Sequence, residues 1–216
     1  MRKLILRMSI SLDGFVGLPD GGPEWIFRNV DERSIAFGIA QLWEAGVHAM
    51  GHVTYGAMAA HWPTSSEPWA PPMNQLPKVV FSRTLKEAPW GPTRILSGDL
   101  ADEVARLKEE PGKDIVAHGG ARFAQALTRL GLVDEYWLLV HPIALGAGLP
   151  LFKDLPQPIN LKLISVKSFP GGTIAKAFRP APTPLRGEVV RKVAEQARRI
   201  AVDDVAVRYE DAVQAF

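Results

Sequence analysis

The sequence predicts an α/β protein of three layers. Helices lie on both faces of a mainly parallel, mixed sheet, an antiparallel hairpin closes its C-terminal side, and a helical extension follows. Three observations carry this. Short apolar runs alternate with amphipathic segments of helical period, the pattern of strand–helix–strand units. The last two runs, "INLKLISVKS" and "TIAKAF", are separated only by "FPGG", too short for a crossover. Beyond them Pro180, Pro182 and Pro184 make a stiff linker before a separate apolar stripe of Val189, Val193, Ala197 and Ile200. The expected organisation is a domain over residues 1–179 and an extension over 180–216.

Leu4, Leu6, Met8 and Ile10 alternate with Ile5, Arg7 and Ser9, the two-residue period of a first strand ending at "SLDG". Residues 14–30, rich in glycine and proline, form a long loop, and loops of that length usually serve function. Asp31 opens a helix with Ile35, Ile39 and Leu42 on one face and Gly46 as its stop. "VHAMG" is a second strand. A short helix is expected from Thr54 to the residues before Pro63, then a proline-rich loop over 63–77. "KVVFS" and "TRILS" are strands. Asp99 caps a helix carrying Leu100, Val104 and Leu107, "DIVAH" is a strand, and Phe123, Leu127 and Leu130 mark the next helix. "VDEYWLLVHP" reads as a strand buried on both faces. Pro170 and Gly171 suit the centre of a type II turn.

Composition excludes several classes of function. There is no cysteine among 216 residues, so disulfides, thiolate metal sites and a cysteine nucleophile are ruled out. A net charge of +2 with mixed signs offers no basic stripe for nucleic acid. No apolar run is long enough for a membrane span and none resembles a leader, so a cytoplasmic protein is expected. His48 and His52 sit in or beside one strand, about 13 Å apart over four strand steps, too far to share a metal ion.

The segment "AHGGARFAQAL" joins a strand to a helix through Gly119 and Gly120. Such a junction points free backbone N–H groups and the positive end of a helix dipole at one place, an anion site. The same doublet serves equally as a tight corner. Neither G-x-x-x-x-G-K-[ST] nor G-x-G-x-x-G is present. Thr54, after the second strand, is either an ordinary N-cap or a phosphate ligand through its hydroxyl and amide. Ser82 and Arg83 follow the third strand, where they can hold a ribose phosphate or be solvated loop residues.

As a series, "SLDGFV", "EWI", "GHVTYGAM", "PKVVFSRTL", "GKDIVAHGGARFAQAL" and "GLVDEYWLLVHPIALGAGLPLF" resembles the dihydrofolate-reductase-like proteins related to the reductase domain of the bifunctional riboflavin-biosynthesis deaminase-reductase. It covers about residues 3–179. The resemblance implies a dihydrofolate-reductase-like fold, NADPH as hydride donor, a small-molecule substrate and a homodimer. By position, Gly119, Gly120, Ala121, Arg122 and Phe123 would meet the diphosphate and nicotinamide side of the cofactor. Gly51 and Thr54 would take the diphosphate from the opposite wall, and Ser82 and Arg83 the adenosine phosphate. His52 stands where the family usually has arginine, which leaves NADH open as the donor.

On the substrate side the resemblance places Asp13, Gly14, Trp25 and the loop 145–152, with Leu149, around the pocket. Asp13 is the candidate catalytic residue, able to hydrogen-bond or protonate a ring nitrogen; it is also an ordinary turn residue before Gly14. Asp31 is the nearest counterpart of a substrate-binding carboxylate and reads better as an N-cap. The expected activity is hydride transfer to a small heterocycle, as in reduction of the ribosylamino-pyrimidine of riboflavin synthesis or of folate. A non-catalytic ligand-binding protein on the same fold is the alternative.

Overall fold

A computed structural model describes residues 1–182, 189–192 and 195. Residues Met1–Ala181 form one compact unit. Of the extension, Val189–Lys192 and Glu195 are helical. The rest of its expected stripe (Val193, Ala197 and Ile200) and the segment "DVAVRYEDAV" lie outside the described residues. Among those described, no helix is long and apolar enough to cross a membrane.

In chain order the elements are β1 (Leu4–Ser11), α1 (Glu32–Trp43), β2 (Val47–Gly51), α2 (His52–His61), α3 (Ala70–Gln75), β3 (Lys78–Phe81), β4 (Thr93–Leu96), α4 (Leu100–Glu109), β5 (Ile115–His118), α5 (Ala121–Arg129), β6 (Glu135–His141), β7 (Leu161–Ser168) and β8 (Ile174–Pro180). They build one sheet in the order β4-β3-β2-β5-β1-β6-β8-β7. The first six strands in that order pair in parallel, and β8 and β7 add the antiparallel hairpin. On one face Leu4, Leu6 and Met8 pack with Val104 and Leu107 of α4 and with Ala124 and Leu127 of α5. On the other, Met50 and Val80 pack with Leu42 of α1, Tyr55 of α2 and Met73 of α3. These are the three layers the alternation predicts. Each fully buried leucine, such as Leu127, contributes about 1.5–3 kcal/mol.

Several local expectations are corrected. α1 ends at Trp43 with Glu44 as its C-cap. Gly46 is not the helix stop; a Cβ there would collide with the Lys113 carbonyl, so this glycine permits a close crossing of two chain segments. The proline-rich stretch contains α3, because Pro71 and Pro72 fall in its first turn, where a missing N–H costs nothing. α2 begins at His52 with Gly51 as N-cap, which overturns the reading of Thr54 as a cap. Leu130 is 54% exposed; the inward face of α5 is Ala121, Ala124, Gln125, Leu127 and Thr128. In the β7–β8 turn Gly172 N–H donates to Phe169 O, so Pro170 and Gly171 take the central positions as expected, but the left-handed residue is Gly172 (φ 86°) rather than Gly171, so the turn is not of type II. β6 is only half-buried at Trp137 and Leu139, for a reason given below.

Candidate active site at the carboxyl edge of the sheet

After β2 the chain runs through α2 to β3, toward the β4 edge. After β5 it runs through α5 across β1 to β6, in the opposite direction. β2 and β5 are hydrogen-bonded neighbours, with His48 opposite Val116 and Ala49 opposite Ala117. Their carboxyl ends are therefore the point where strand order reverses, and open α/β sheets have their ligand crevice at such a point.

Both helices leaving this point start on a glycine, Gly51 for α2 and Gly120 for α5, and neither has a side chain capping its first turn. By helix geometry the leading amides of each have no partner within the helix. The other long helices differ. The Asp31 carboxylate accepts from the Arg33 and Ser34 amides in a capping box, and Asp99 accepts from Ala101 and Asp102.

The glycine doublet is tightly enclosed. A Cβ on Gly119 would collide with the thioether of Met8, and one on Gly120 would lie 2.7 Å from Thr54 Oγ1. The Thr54 hydroxyl donates to the Gly119 carbonyl at 2.7 Å and accepts from the Gly120 amide at 3.0 Å. Thr54 thus locks α2 to the doublet, and the amides left over for an anion are the leading ones of the two helices. A Cβ on Gly51 would meet Phe123 Cβ at 3.4 Å, an ordinary contact, and Phe123 in turn stacks on Phe81 with ring centroids 5.2 Å apart.

Ala121 is buried, whereas His52 and Arg122 are exposed at the first turns of α2 and α5. Arg83 is exposed beyond β3, the strand next to β2. Ser82 is buried and its Oγ accepts from the Thr84 and Leu85 amides, so it shapes the turn that presents Arg83.

A cavity of about 280 Å³ lies between α1 and the sheet. Its floor is Arg7, Met8 and Ser9 of β1 and Trp137, Leu138 and Leu139 of β6. Its roof is Ser34, Phe37, Gly38 and Gln41 of α1, and its far wall is Ser165, Val166 and Lys167 of β7 with Ala175, Lys176 and Ala177 of β8. This is why Trp137 and Leu139 are only half-buried. Along β1 the cavity floor comes close to the crevice, since Arg7 pairs in register with His118, which directly precedes the glycines.

None of the five residues assigned to the substrate side from sequence lines this cavity. The Asp13 carboxylate receives hydrogen bonds from the Ser11 hydroxyl and from the Gly146 and Leu145 amides. The Ser11 bond first, then that from Gly146, holds its acid constant below the ordinary carboxylate value, the wrong direction for a proton donor near neutrality. Gly14 (φ 92°) and Leu149 belong to a clamp in which Leu151 N–H donates to Gly14 O, and residues 16 and 17 exchange bonds with Leu149. Trp25 is 1% exposed, packed edge-on against His141 with ring centroids 5.2 Å apart. Asp31 caps α1 and also accepts from Gly171 N–H at 2.6 Å, tying the β7–β8 turn to the helix.

The cavity-lining residues Ser9, Trp137 and Leu139 carry no site signal in the sequence, where their alternation marks only strands. The usable signal was Arg7, a cation in the middle of an apolar run. His48 faces His118 across β2 and β5, Nδ1 to Nε2 at 2.8 Å. Burial pushes His48 down to about 4, with the Lys78 charge adding to it, and lowers His118 well below the usual imidazole value. The pair is neutral and is packed in the core rather than in the cavity wall.

A mainly parallel α/β sheet whose strand order reverses at the ends of β2 and β5, with a cavity between α1 and the sheet, belongs to a class of fold whose ligands bind at that edge. Residues 2–175 match the family described as RibD C-terminal domain, and the chain belongs to that family, which is of reductase type. It is similar to the Bacillus subtilis (strain 168) protein YyaP, 32% identical over 179 residues, which are 80% of this chain and 92% of YyaP. YwjB of the same organism is 26% identical over 169 residues, 78% of this chain and 92% of YwjB. Among solved structures, the putative riboflavin biosynthesis protein of Shewanella sp. PV-4 superposes with a TM-score of 0.66 at 23% identity, over 83% of this chain and 99% of that one. The Thermotoga maritima diaminohydroxyphosphoribosylaminopyrimidine deaminase/5-amino-6-(5-phosphoribosylamino)uracil reductase does so with a TM-score of 0.60 at 16% identity. That match covers 83% of this chain and 57% of the Thermotoga protein. Structures this distant show a shared fold, the one the motif series implies.

Proposed function

We propose that this protein is a nicotinamide-dependent reductase of a small ring-containing substrate, with the dinucleotide along the β2–β5 crevice and the substrate in the cavity beneath α1. The observation that carries the reading is the pair of uncapped helix starts at the switch point. Two positive dipole ends and their leading amides converge there, with glycine at each N-cap, which suits a diphosphate. The residues present therefore fit the group. The amides of Ala121 and Arg122 and those of His52 and Val53 would hold the diphosphate, and Arg83 would take a ribose phosphate. Thr54 keeps the two helix starts in register through its bonds to Gly119 and Gly120.

The nicotinamide supplies hydride when bound, and the chain supplies placement and charge. Arg7, in the cavity floor and in register with His118 just before the glycines, supports a substrate position close to the crevice. Among the described residues the cavity walls contain no carboxylate and no histidine, and Asp13 is held in its ionised form by its own hydrogen bonds. The proton that completes a reduction would then come from solvent, while the Arg7 cation would bind and orient the substrate. His52 at the first turn of α2 leaves the choice of NADPH over NADH to Arg83.

Titration with NADPH and NADH, followed by nicotinamide fluorescence, tests the reading. Binding of NADPH in the micromolar range is expected. Binding of neither at millimolar concentration would falsify it. Tight binding without oxidation across a panel of pterins, pyrimidines and aromatic carboxylic acids would instead make the protein a binding module.

A further inference from the structure

The cavity beneath α1 holds a positive charge with no acidic partner among the described residues. Arg7 comes from the centre of β1 and is partly covered by α1, which approaches so closely at Gly38 that a Cβ there would lie 2.8 Å from the Arg7 guanidinium. Among the described residues its one side-chain hydrogen bond is to Gln41, Nε to Oε1 at a long 3.4 Å, and it lies over the face of Trp69, 5.5 Å from the ring centroid. Burial lowers its acid constant to about 10, with no carboxylate acting against that. Charged side chains are seldom buried without a partner. The other ion pairs of the described residues, such as Arg94 with Glu110 and Lys108 with Asp134, lie elsewhere.

The rest of the wall adds to this charge. Lys167 and Lys176 line the cavity beside Arg7, and no Asp or Glu does. Lys167 Nζ rests over the rings of Phe37 and Phe169, at 4.9 and 5.5 Å from their centroids, and has no acidic partner among the described residues. The remaining surface includes Trp137, Phe37 and Leu139, apolar and partly aromatic. A volume of about 280 Å³ lies just below the range of roughly 300–1,000 Å³ for small-molecule sites, room for a ligand of about one ring.

We propose that the substrate taken by this cavity is a small aromatic or heteroaromatic carboxylate, its planar anionic group paired with the guanidinium of Arg7 and its ring held between Trp137 and Phe37. The assignment rests on the cavity being the substrate site of the reductase proposed above, and narrows that site to anions. A protonated pterin would meet a cation where it needs an acid. A carboxylate matches the planar fork of a single arginine by two parallel hydrogen bonds, which a neutral amide of the same shape cannot do.

The test compares benzoate, benzamide and inorganic phosphate by calorimetry, using the full chain and the variants Arg7→Met and Arg7→Lys, with an NADPH titration run on each. Benzoate is expected to bind the unaltered protein at least tenfold more tightly than benzamide or phosphate. Arg7→Met should lose that preference, and Arg7→Lys should keep part of it. Arg7→Met places an apolar chain in a mostly apolar site and is expected to melt no lower than the parent; should it fail to fold, Arg7→Lys supplies the comparison. Equal binding of benzoate and benzamide, a phosphate preference, or a benzoate preference that survives Arg7→Met would each overturn the proposal. NADPH binding that is intact in all three proteins while benzoate is ignored would remove the anion assignment alone. Benzoate selectivity without NADPH binding would uphold the anion site and remove the reductase.

Discussion

Four helices of this protein begin at the same edge of the sheet, yet they begin in two different ways. α1 and α4 start on aspartates whose carboxylates occupy the leading amides and offset the dipole. α2 and α5 start on glycines with no capping side chain, on neighbouring strands where the strand order reverses. Capping is worth about 1 kcal/mol per helix, so leaving two adjacent helices without it is a cost to the free protein. A bound anion would remove that cost. The capped pair serves stability, and on the function proposed above the uncapped pair would serve recognition.

The largest effect should come from giving α2 the kind of start that α1 has. Gly51 has an extended backbone, φ −77° and ψ 161°, and ordinary room for a Cβ, so Gly51→Asp is expected to fold and to cap the helix. It should weaken NADPH binding by about a hundredfold or more, since a carboxylate then competes for the amides. Unchanged affinity, measured by fluorescence titration, would erase the distinction between the two pairs. Gly120→Asp should weaken binding similarly but at some cost in stability, because its Cβ reaches Thr54 Oγ1.

A smaller change is expected from Arg83→Ala, which should lower affinity for NADPH about tenfold and leave NADH binding alone. A parallel loss for both dinucleotides would mean that Arg83 does not read the extra phosphate. On the capped side, Asp31→Ala should cost about 2 kcal/mol and Asp99→Ala about 1 kcal/mol by denaturant titration, with dinucleotide affinity unaltered in both. Asp31 is the costlier because it also holds Gly171.

The least dramatic expectation concerns acid. Burial holds His48 and His141 down to about 4, against an ordinary value near 6.5 in the unfolded chain. Between those values the unfolded state binds more protons than the folded one, so stability is full above about pH 6.5 and falls as the pH drops toward 4. A Tm that stays level between pH 7 and 4.5 would contradict this.

Much of the architecture was legible because it depends on period and punctuation. The alternation of Leu4, Leu6 and Met8 placed β1, and Asp31 and Asp99 were read as caps because a carboxylate before an apolar-periodic run has one dominant local use. The doublet at Gly119 and Gly120 was legible as a close approach, although not that Thr54 would bind it from 65 residues away. The cavity was not legible. Arg7, Ser34 and Trp137 are distant in sequence, and whether a half-buried strand position faces a helix or a void depends on how α1 is seated. Trp25 misled for the complementary reason, since an aromatic residue in a long loop looks available and here it fills the core against His141.

The insertion of β5 between β1 and β2 has a consequence for how the molecule is made. Until residue 115 or so has left the ribosome, β1 and β2 have no common partner, and the central seam stays open with apolar strand edges unpaired. Nascent chains shorter than this lack the β5 wall of the crevice, so on the function proposed above a dinucleotide would bind and protect only chains in which β5 and the start of α5 have joined β2.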